Sequence, residues 1–218
     1  VITITNDTPT GNTLERFDEY VDEGASVDQG SQLTTTDLSN VQNTAMGSFD
    51  VVYTATDGNT TSTAIRTVTV VDTAAPTGTV NTSVLSTLER FGTYVEPDNA
   101  IINMDQGTYI AHIDTSNVDS TVAHGTQQVI VYDLGDDVNN TLVTRTITIQ
   151  DTTAPTGTVN TAVSTTLERF GTYVEPDEAI INMDQGTYVA RIDTSNVDST
   201  VAHGTQQVIV YDLGDDVN

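Results

Sequence analysis

The chain has 218 residues, with 31 acidic side chains against six basic ones and a formal charge of −25 at pH 7. Such a surface repels nucleic acid and anionic lipid, and no run approaches the ~20 apolar residues of a membrane span. All six basic residues are arginines and cysteine is absent, which excludes lysine isopeptide staples, disulfides, thiolate metal sites and thiol nucleophiles.

The chain begins VITITNDTPTG. Ile2-Thr3-Ile4 reads as a strand and matches Ile147-Thr148-Ile149 late in the sequence. Residues 1–6 are therefore expected to be a last-strand segment belonging to a preceding or neighbouring domain. Residues 7–71 form a first, short repeat. In its GSFDVVYTATDG stretch, period-2 alternation puts Phe49, Val51, Tyr53 and Ala55 on one face, and Asp57-Gly58 signals a turn. STAIRTVTVVD is expected as the hairpin partner, Thr67 and Thr69 alternating with Val68 and Val70. In the second repeat, residues 72–150, GTYVEPDNAIIN, a turn at MDQG and TYIAHID predict another strand pair. The third repeat, residues 151–218, lacks a counterpart of the NTLVTRTITIQ strand that closes the second. No segment carries a 3.6-residue period with helix caps. Proline in NDTP, DTAAP and DTTAP fixes φ and removes a donor, marking short linkers between repeats. The expected fold is all-β, a series of β-sandwiches.

Repetition is the dominant signal. Residues 72–139 and 151–218 align without a gap at a period of 79, and 7 of the 68 positions differ. The first repeat keeps LERF (Leu14 to Phe17), DQG (Asp28 to Gly30), SNV (Ser39 to Val41) and a tyrosine, Tyr53, matching Tyr132 and Tyr211. A catalytic site needs one asymmetric constellation, whereas near-identical neighbours suit a repeated mechanical or binding unit. No catalytic residue is assigned and the segment is not expected to be an enzyme. His124 and His203 are one position in two repeats, and His112 is replaced by Arg191, so the histidines make no site.

The stretch TYVEPDNA…DQG…GTQQVIVYDLGDD…TRTITIQDTTAPT, and DEYVDEGASVDQG in the first repeat, resembles the Ig-like repeats of bacterial surface proteins, relatives of the hyalin-type repeats. The resemblance covers essentially the whole chain. It implies tandem immunoglobulin-like β-sandwich domains in an elongated array, on secreted adhesins, stalks or fibres, without catalysis, and it transfers no ligand-binding residue. The chain departs from that pattern in the aromatic of LERF, and in having five residues from Pro9 to Leu14 where the other repeats have twelve.

In an Ig-like sandwich the DQG and DLGDD turns share one end with the linker aspartates. Asp72, Asp105, Asp136, Asp137, Asp151, Asp184, Asp215 and Asp216 are thus candidate ligands for Ca²⁺ between domains, a cation that takes six to eight oxygens. The competing reading is that they are solvated turns, since no EF-hand or nonapeptide calcium pattern is present. Val1, Ile2, Thr3, Ile4 and Thr5 are a donor-strand candidate. A spare last strand at the start and a missing one in the third repeat are read first as an excerpt of a longer array, with head-to-tail strand complementation as the competing explanation. Arg16, Arg90 and Arg169 of LERF are expected to pair with local acids while their stems pack on the sheet. Asn6, Asn59, Asn81 and Asn139 match the N-glycosylation acceptor pattern. Tyr109 and Tyr188 are the aromatics to examine for carbohydrate binding.

Together these features predict an extracellular, cell-surface structural repeat of a fibre, pilus-like filament or adhesin stalk. Its partners would be copies of itself or further repeats of a longer chain. A carbohydrate- or host-surface-binding adhesin module, or a non-catalytic accessory array of a secreted enzyme, is the alternative.

Overall fold

A computed structural model describes residues 1–5, 7, 12–28, 31–215 and 217. The first repeat with its leading segment supplies β1 (Ile2–Ile4), β2 (Thr13–Glu15), β3 (Ala25–Val27), β4 (Gln32–Asp37), β5 (Gly47–Thr56) and β6 (Thr61–Val71). The second supplies β7 (Thr79–Val80), β8 (Thr87–Glu89), β9 (Ile101–Ile102), β10 (Tyr109–Asp114), β11 (Gln127–Gly135) and β12 (Asn140–Gln150). The third supplies β13 (Thr158–Val159), β14 (Ile180–Ile181), β15 (Tyr188–Asp193) and β16 (Val210–Gly214). The protein is all-β, with no helix among the described residues, and none is therefore long and apolar enough to cross a membrane.

The β5–β6 hairpin is the frame of the first repeat. Its register runs from Gly47 opposite Val70 to Thr56 opposite Thr61, around the turn at Asp57-Gly58. Alternation works as expected: Val51, Tyr53 and Ala55 are buried from β5, and Val68 and Val70 from β6, while Thr67 and Thr69 face out. The hairpin extends into a four-stranded sheet, β2-β6-β5-β4, in which β2 runs parallel to β6. A two-stranded sheet, β1-β3, packs over it. Ile2, Ile4 and Ala25 lie against Val51, Tyr53 and Val68, joined by Leu14, Tyr20 and Val41.

That packing corrects the expectation for the opening residues. Ile2, Thr3 and Ile4 pair antiparallel with Val27, Ser26 and Ala25 of the same chain, and Ile2 and Ile4 help cover the first core. Residues 1–5 are thus the first strand of the first repeat. They are neither a last strand of another domain nor a strand free to donate. An Ile-Thr-Ile run fits any half-buried strand, so its likeness to Ile147–Ile149 carried no information about position in the sheet.

The second repeat has the same plan, with a sheet ordered β8-β12-β11-β10 and a pair β7-β9. Again the short entering strand, β8, runs parallel to the long last strand, Leu88 opposite Ile149. The expected pairing of the two segments around MDQG does not occur. Ile101 and Ile102 pair with Val80 and Thr79 across the other sheet, whereas Tyr109–Asp114 pairs with β11. The MDQG turn crosses between sheets instead of closing a hairpin.

In the third repeat β13 pairs with β14, and β15 with β16 in the register of their second-repeat equivalents, irregularity included. Among the described residues β16 has β15 as its single sheet neighbour, and the stretch equivalent to β8 forms no strand.

The chain divides into two compact units. One comprises residues 1–81, 98–115 and 131–145, and the other residues 82–97, 116–130 and 146–218. The linker after the first repeat lies in the former, and the linker after the second lies in the latter.

Candidate functional site

The DTAAP and DTTAP linkers are each held by the Glu-Arg-Phe of LERF at the end of a short entering strand. Within the first compact unit, Glu15 accepts hydrogen bonds from the backbone N–H groups of Thr73 (2.5 Å) and Ala74 (2.9 Å) and from Thr73 Oγ1 (2.8 Å). Parallel pairing with β6 brings it there, since Glu15 sits opposite Val71, two residues before Thr73. These donors hold the Glu15 carboxyl below its ordinary range, the Ala74 N–H contributing most. Arg16 donates from Nη1 to Asp72 Oδ2 and to the Asp136 carbonyl, each at 3.0 Å, and from Nε to the Thr44 carbonyl at 3.0 Å. Asn139 Nδ2 donates to the Ala74 carbonyl at 3.1 Å. One arginine thus ties together the linker acid, a loop of the first repeat and a turn of the second.

Phe17 completes the clasp. Its φ of 69° lies in the left-handed region, which a bulky aromatic rarely adopts. The turn sets the ring under Arg16, whose guanidinium carbon lies 4.6 Å from the ring centroid. The other side of the ring meets Gly107 of the next DQG turn so closely that a Cβ there would lie 2.2 Å from Cε2. Gly107, at φ 89°, is required both by conformation and by the ring.

The second compact unit repeats this arrangement. Glu89 accepts from Thr152 N (2.6 Å), Thr153 N (3.0 Å) and both threonine hydroxyls. The Thr152 N–H is the largest influence lowering the Glu89 carboxyl from 4.5 to about 2. Arg90 faces Asp151 at 3.5 Å, and the Asp151 N–H donates to His124 Nδ1 at 3.0 Å. Phe91, at φ 60°, packs on Gly186, where a Cβ would lie 2.6 Å from Cε2. Arg16 and Arg90 therefore pair not with local acids, as expected, but with linker acids far along the chain.

A second polar constellation lies in the cores. In the first repeat Asp22 accepts from Tyr53 (2.5 Å) and Tyr20 (3.2 Å) and pairs with the fully buried Arg66 of β6 at 3.4 Å. Arg66 Nη2 also donates to the Thr5 carbonyl, tying down the end of β1. In the second repeat the buried Arg145 of β12 donates from Nε to Tyr132 Oη at 3.0 Å. In the third, Glu175 accepts from Tyr173 (2.6 Å) and Tyr211 (2.5 Å). Burial, reinforced by Glu175, pushes both tyrosines up. Neither the clasp nor this network was foreseen. Their signal was present in the repeated pairing of YVD or YVE with an arginine in the last strand, six residues before the linker aspartate.

The proposed cation ligands are engaged elsewhere. Asp72 and Asp151 pair with arginines. Asp105 and Asp184 accept from the Thr77 and Thr156 N–H groups and from Thr108 and Thr187. Asp136 caps the turn at Val138 and Asn139, Asp137 accepts from Tyr109, and Asp215 accepts from Val217 N. Asp216 lies outside the described residues. No group of three or more His, Asp or Glu that could hold a metal is found among the described residues. The described carboxylates of this set thus accept from protein donors and are not gathered into one cluster.

The glycan candidates separate. Asn59 is exposed at the tip of the β5–β6 turn. Asn81 is buried, with Nδ2 bonded to the Asn99 carbonyl, and Asn139 Nδ2 belongs to the clasp. Neither presents an accessible amide. Asn6 lies outside the described residues. Tyr109 and Tyr188 are about half exposed (44% and 50%). Each donates its hydroxyl to the neighbouring acidic turn.

No protein-family model matches the chain, and comparison with curated proteins returns no match.

Proposed function

We propose that the protein is a structural segment of an extracellular fibre or adhesin stalk, built from tandem Ig-like sandwiches whose relative angle is set by the Glu-Arg-Phe clasp. The observation that carries this reading is the recurrence of one clasp at two successive linkers, with the same three roles: backbone capping by glutamate, ion pairing by arginine, and aromatic packing on a glycine. Repeats joined by flexible chain need none of these. A linker with two successive N–H groups caught by one carboxylate has lost much of the freedom that would let neighbouring repeats swing. The sequence similarity of the repeats, and the packing of the β1-β3 pair on the four-stranded sheet of the first, support the sandwich assignment. The acidic surface keeps parallel fibres apart, since like charges repel within about 10 Å at 0.1 M salt.

The test is small-angle scattering and electron microscopy on chains carrying one, two and three repeats. The expected result is rods that lengthen by a constant increment per repeat, with Glu89→Ala/Arg90→Ala introducing a bend. Particles whose cross-section grows while their length stays fixed would refute the reading.

A further inference from the structure

Four asparagines carry the Asn-x-Ser/Thr pattern, and the three that lie among the described residues differ in what their side chains already do. Asn81 is 8% exposed, and its Nδ2 donates to the Asn99 carbonyl at 3.0 Å. Asn160 is the same position one repeat later. It follows the same short strand and its Oδ1 accepts from the Ala162 N–H at 3.0 Å, although Ala162 removes the hydroxyl of the pattern. An asparagine thus stands there with or without the pattern, which ties it to the fold. Asn139 Nδ2 donates to the Ala74 carbonyl at 3.1 Å, and Thr141, the hydroxyl residue of its pattern, lies in β12.

Asn59 is different. It stands in the turn Asp57-Gly58-Asn59-Thr60, where residues 57–63 are exposed without interruption. Neighbouring groups fix the turn. Asp57 Oδ1 accepts from the Asn59 and Thr60 N–H groups at 2.9 and 2.8 Å. Thr56 Oγ1 accepts from the Gly58 N–H at 3.1 Å and donates to the Thr60 carbonyl at 3.0 Å. Only the backbone of Asn59 takes part. Its carboxamide, like the Thr61 hydroxyl, makes no hydrogen bond among the described residues. The turn holds its shape without either side chain.

We propose that Asn59 is an N-glycosylation site, the one of these three whose carboxamide the folded chain offers to an oligosaccharyltransferase. The donor is an oligosaccharide joined through C1 to a polyprenyl diphosphate. A bond forms between Asn59 Nδ2 and C1, and the bond from C1 to the diphosphate oxygen breaks. The carboxamide gives up one proton, the polyprenyl diphosphate departs, and nothing is oxidised or reduced. Thr61 supplies the hydroxyl that the pattern places two residues on. Presenting Asn59–Thr61 to an enzyme opens one rung of the ladder, Thr56 opposite Thr61, at a hairpin tip where opening costs least. Presenting Asn139 breaks its hold on the linker, and presenting Asn81 withdraws a side chain from the interior. The inference rests on the extracellular location proposed above and not on the fibre, and the experiment reads the acceptor without reference to either.

The test is glycosylation of the folded 218-residue chain in vitro, by a purified single-subunit oligosaccharyltransferase with a lipid-linked oligosaccharide as donor. Peptide mass spectrometry then reads each asparagine separately. Asn59 should be occupied about tenfold or more above Asn81 and Asn139, since local opening is cheap at the tip and costly at the other two. Asn59→Gln and Thr61→Ala should each abolish that signal and Thr61→Ser should keep it. All three variants should melt like the parent chain, as exposed turn substitutions do. Synthetic peptides spanning Thr56–Thr63, Thr77–Leu85 and Asp137–Thr144 should be modified to similar extents. A ranking of the peptides that reproduced that of the folded chain would trace the preference to local sequence and overturn the role given to the fold. An Asn59 left unmodified in the folded chain, or occupancy of Asn81 or Asn139 equal to its own, would overturn the site itself.

Discussion

The second and third repeats invite comparison, because almost the same residues adjoin a last strand in one and, among the described residues, only β15 in the other. Beneath β12, Ile130, Tyr132 and Leu134 are fully buried. Their counterparts Ile209, Tyr211 and Leu213 are only half-buried. β11 runs for nine residues while β16 runs for five, and β8 has no equivalent strand. The difference shows that strand formation here is a property of the pair. The segment Gln206–Ile209 has the same composition as Gln127–Ile130, but with no ladder partner among the described residues it forms no strand. Local propensity is identical, and tertiary context decides.

The most forceful way to break the comparison is to remove the same tyrosine from each copy. Tyr132→Ala should cost about 3–5 kcal/mol, as for other large core aromatics, and Tyr211→Ala roughly half as much. Urea unfolding followed by repeat-specific amide signals measures both, and equal losses would contradict the burial contrast. Next in size is Arg66→Met. Without the cation, Asp22 stays half-buried against Tyr20 and Tyr53, and the first repeat should lose about 3 kcal/mol. The joint Arg66→Met/Asp22→Leu change should recover most of that.

The clasp is probed by glycine. Gly186→Ala places a methyl inside the Phe91 ring at a left-handed φ of 88°. It should loosen the second linker and lower stability by about 2 kcal/mol. Gly204→Ala, at φ 83° with open space around it, should cost only about 1 kcal/mol of strain. Similar losses would remove the ring contact from the argument.

Acid should act more gently. The Glu89 carboxyl is held down at about 2 against an ordinary 4.5, so its contribution is complete above pH 4.5 and is lost as the pH falls toward 2. Melting of the second linker should follow that window, and Glu89→Gln should flatten it. The smallest effect is that of metal. With Asp72 and Asp151 paired to arginines, millimolar Ca²⁺ or chelator should leave the melting temperature unchanged.

The β5–β6 hairpin was legible in the sequence because period-2 alternation with a turn signal is a local pattern, whereas the pair expected around MDQG was not formed. Val51, Tyr53, Val68 and Val70 lie where that pattern places them. The place of Ile2–Ile4 was not legible, since alternation reveals a face but not a neighbour. The clasp was hidden for a related reason. Glu15 acts on backbone N–H groups 58 and 59 residues away, and backbone donors leave no mark in composition. Aspartates that looked like a cation site proved to be turn caps and ion-pair partners, a distinction fixed by side-chain direction rather than by count. The inward-facing Tyr-acid-Arg sets lay in plain view as repeated letters, but their meaning depended on knowing which strands adjoin.

The parallel pairing of the entering strand with the last strand in the first and second repeats has a mechanical corollary. Tension along the chain pulls β8 backward by its start and β12 forward by its end, in opposite senses along a shared ladder. The Thr148–Thr87, Ile149–Leu88 and Gln150–Glu89 pairings are then loaded in shear, together, and cannot be peeled apart one at a time. A repeat paired this way resists stretching at the very strand that would otherwise be the first to tear loose.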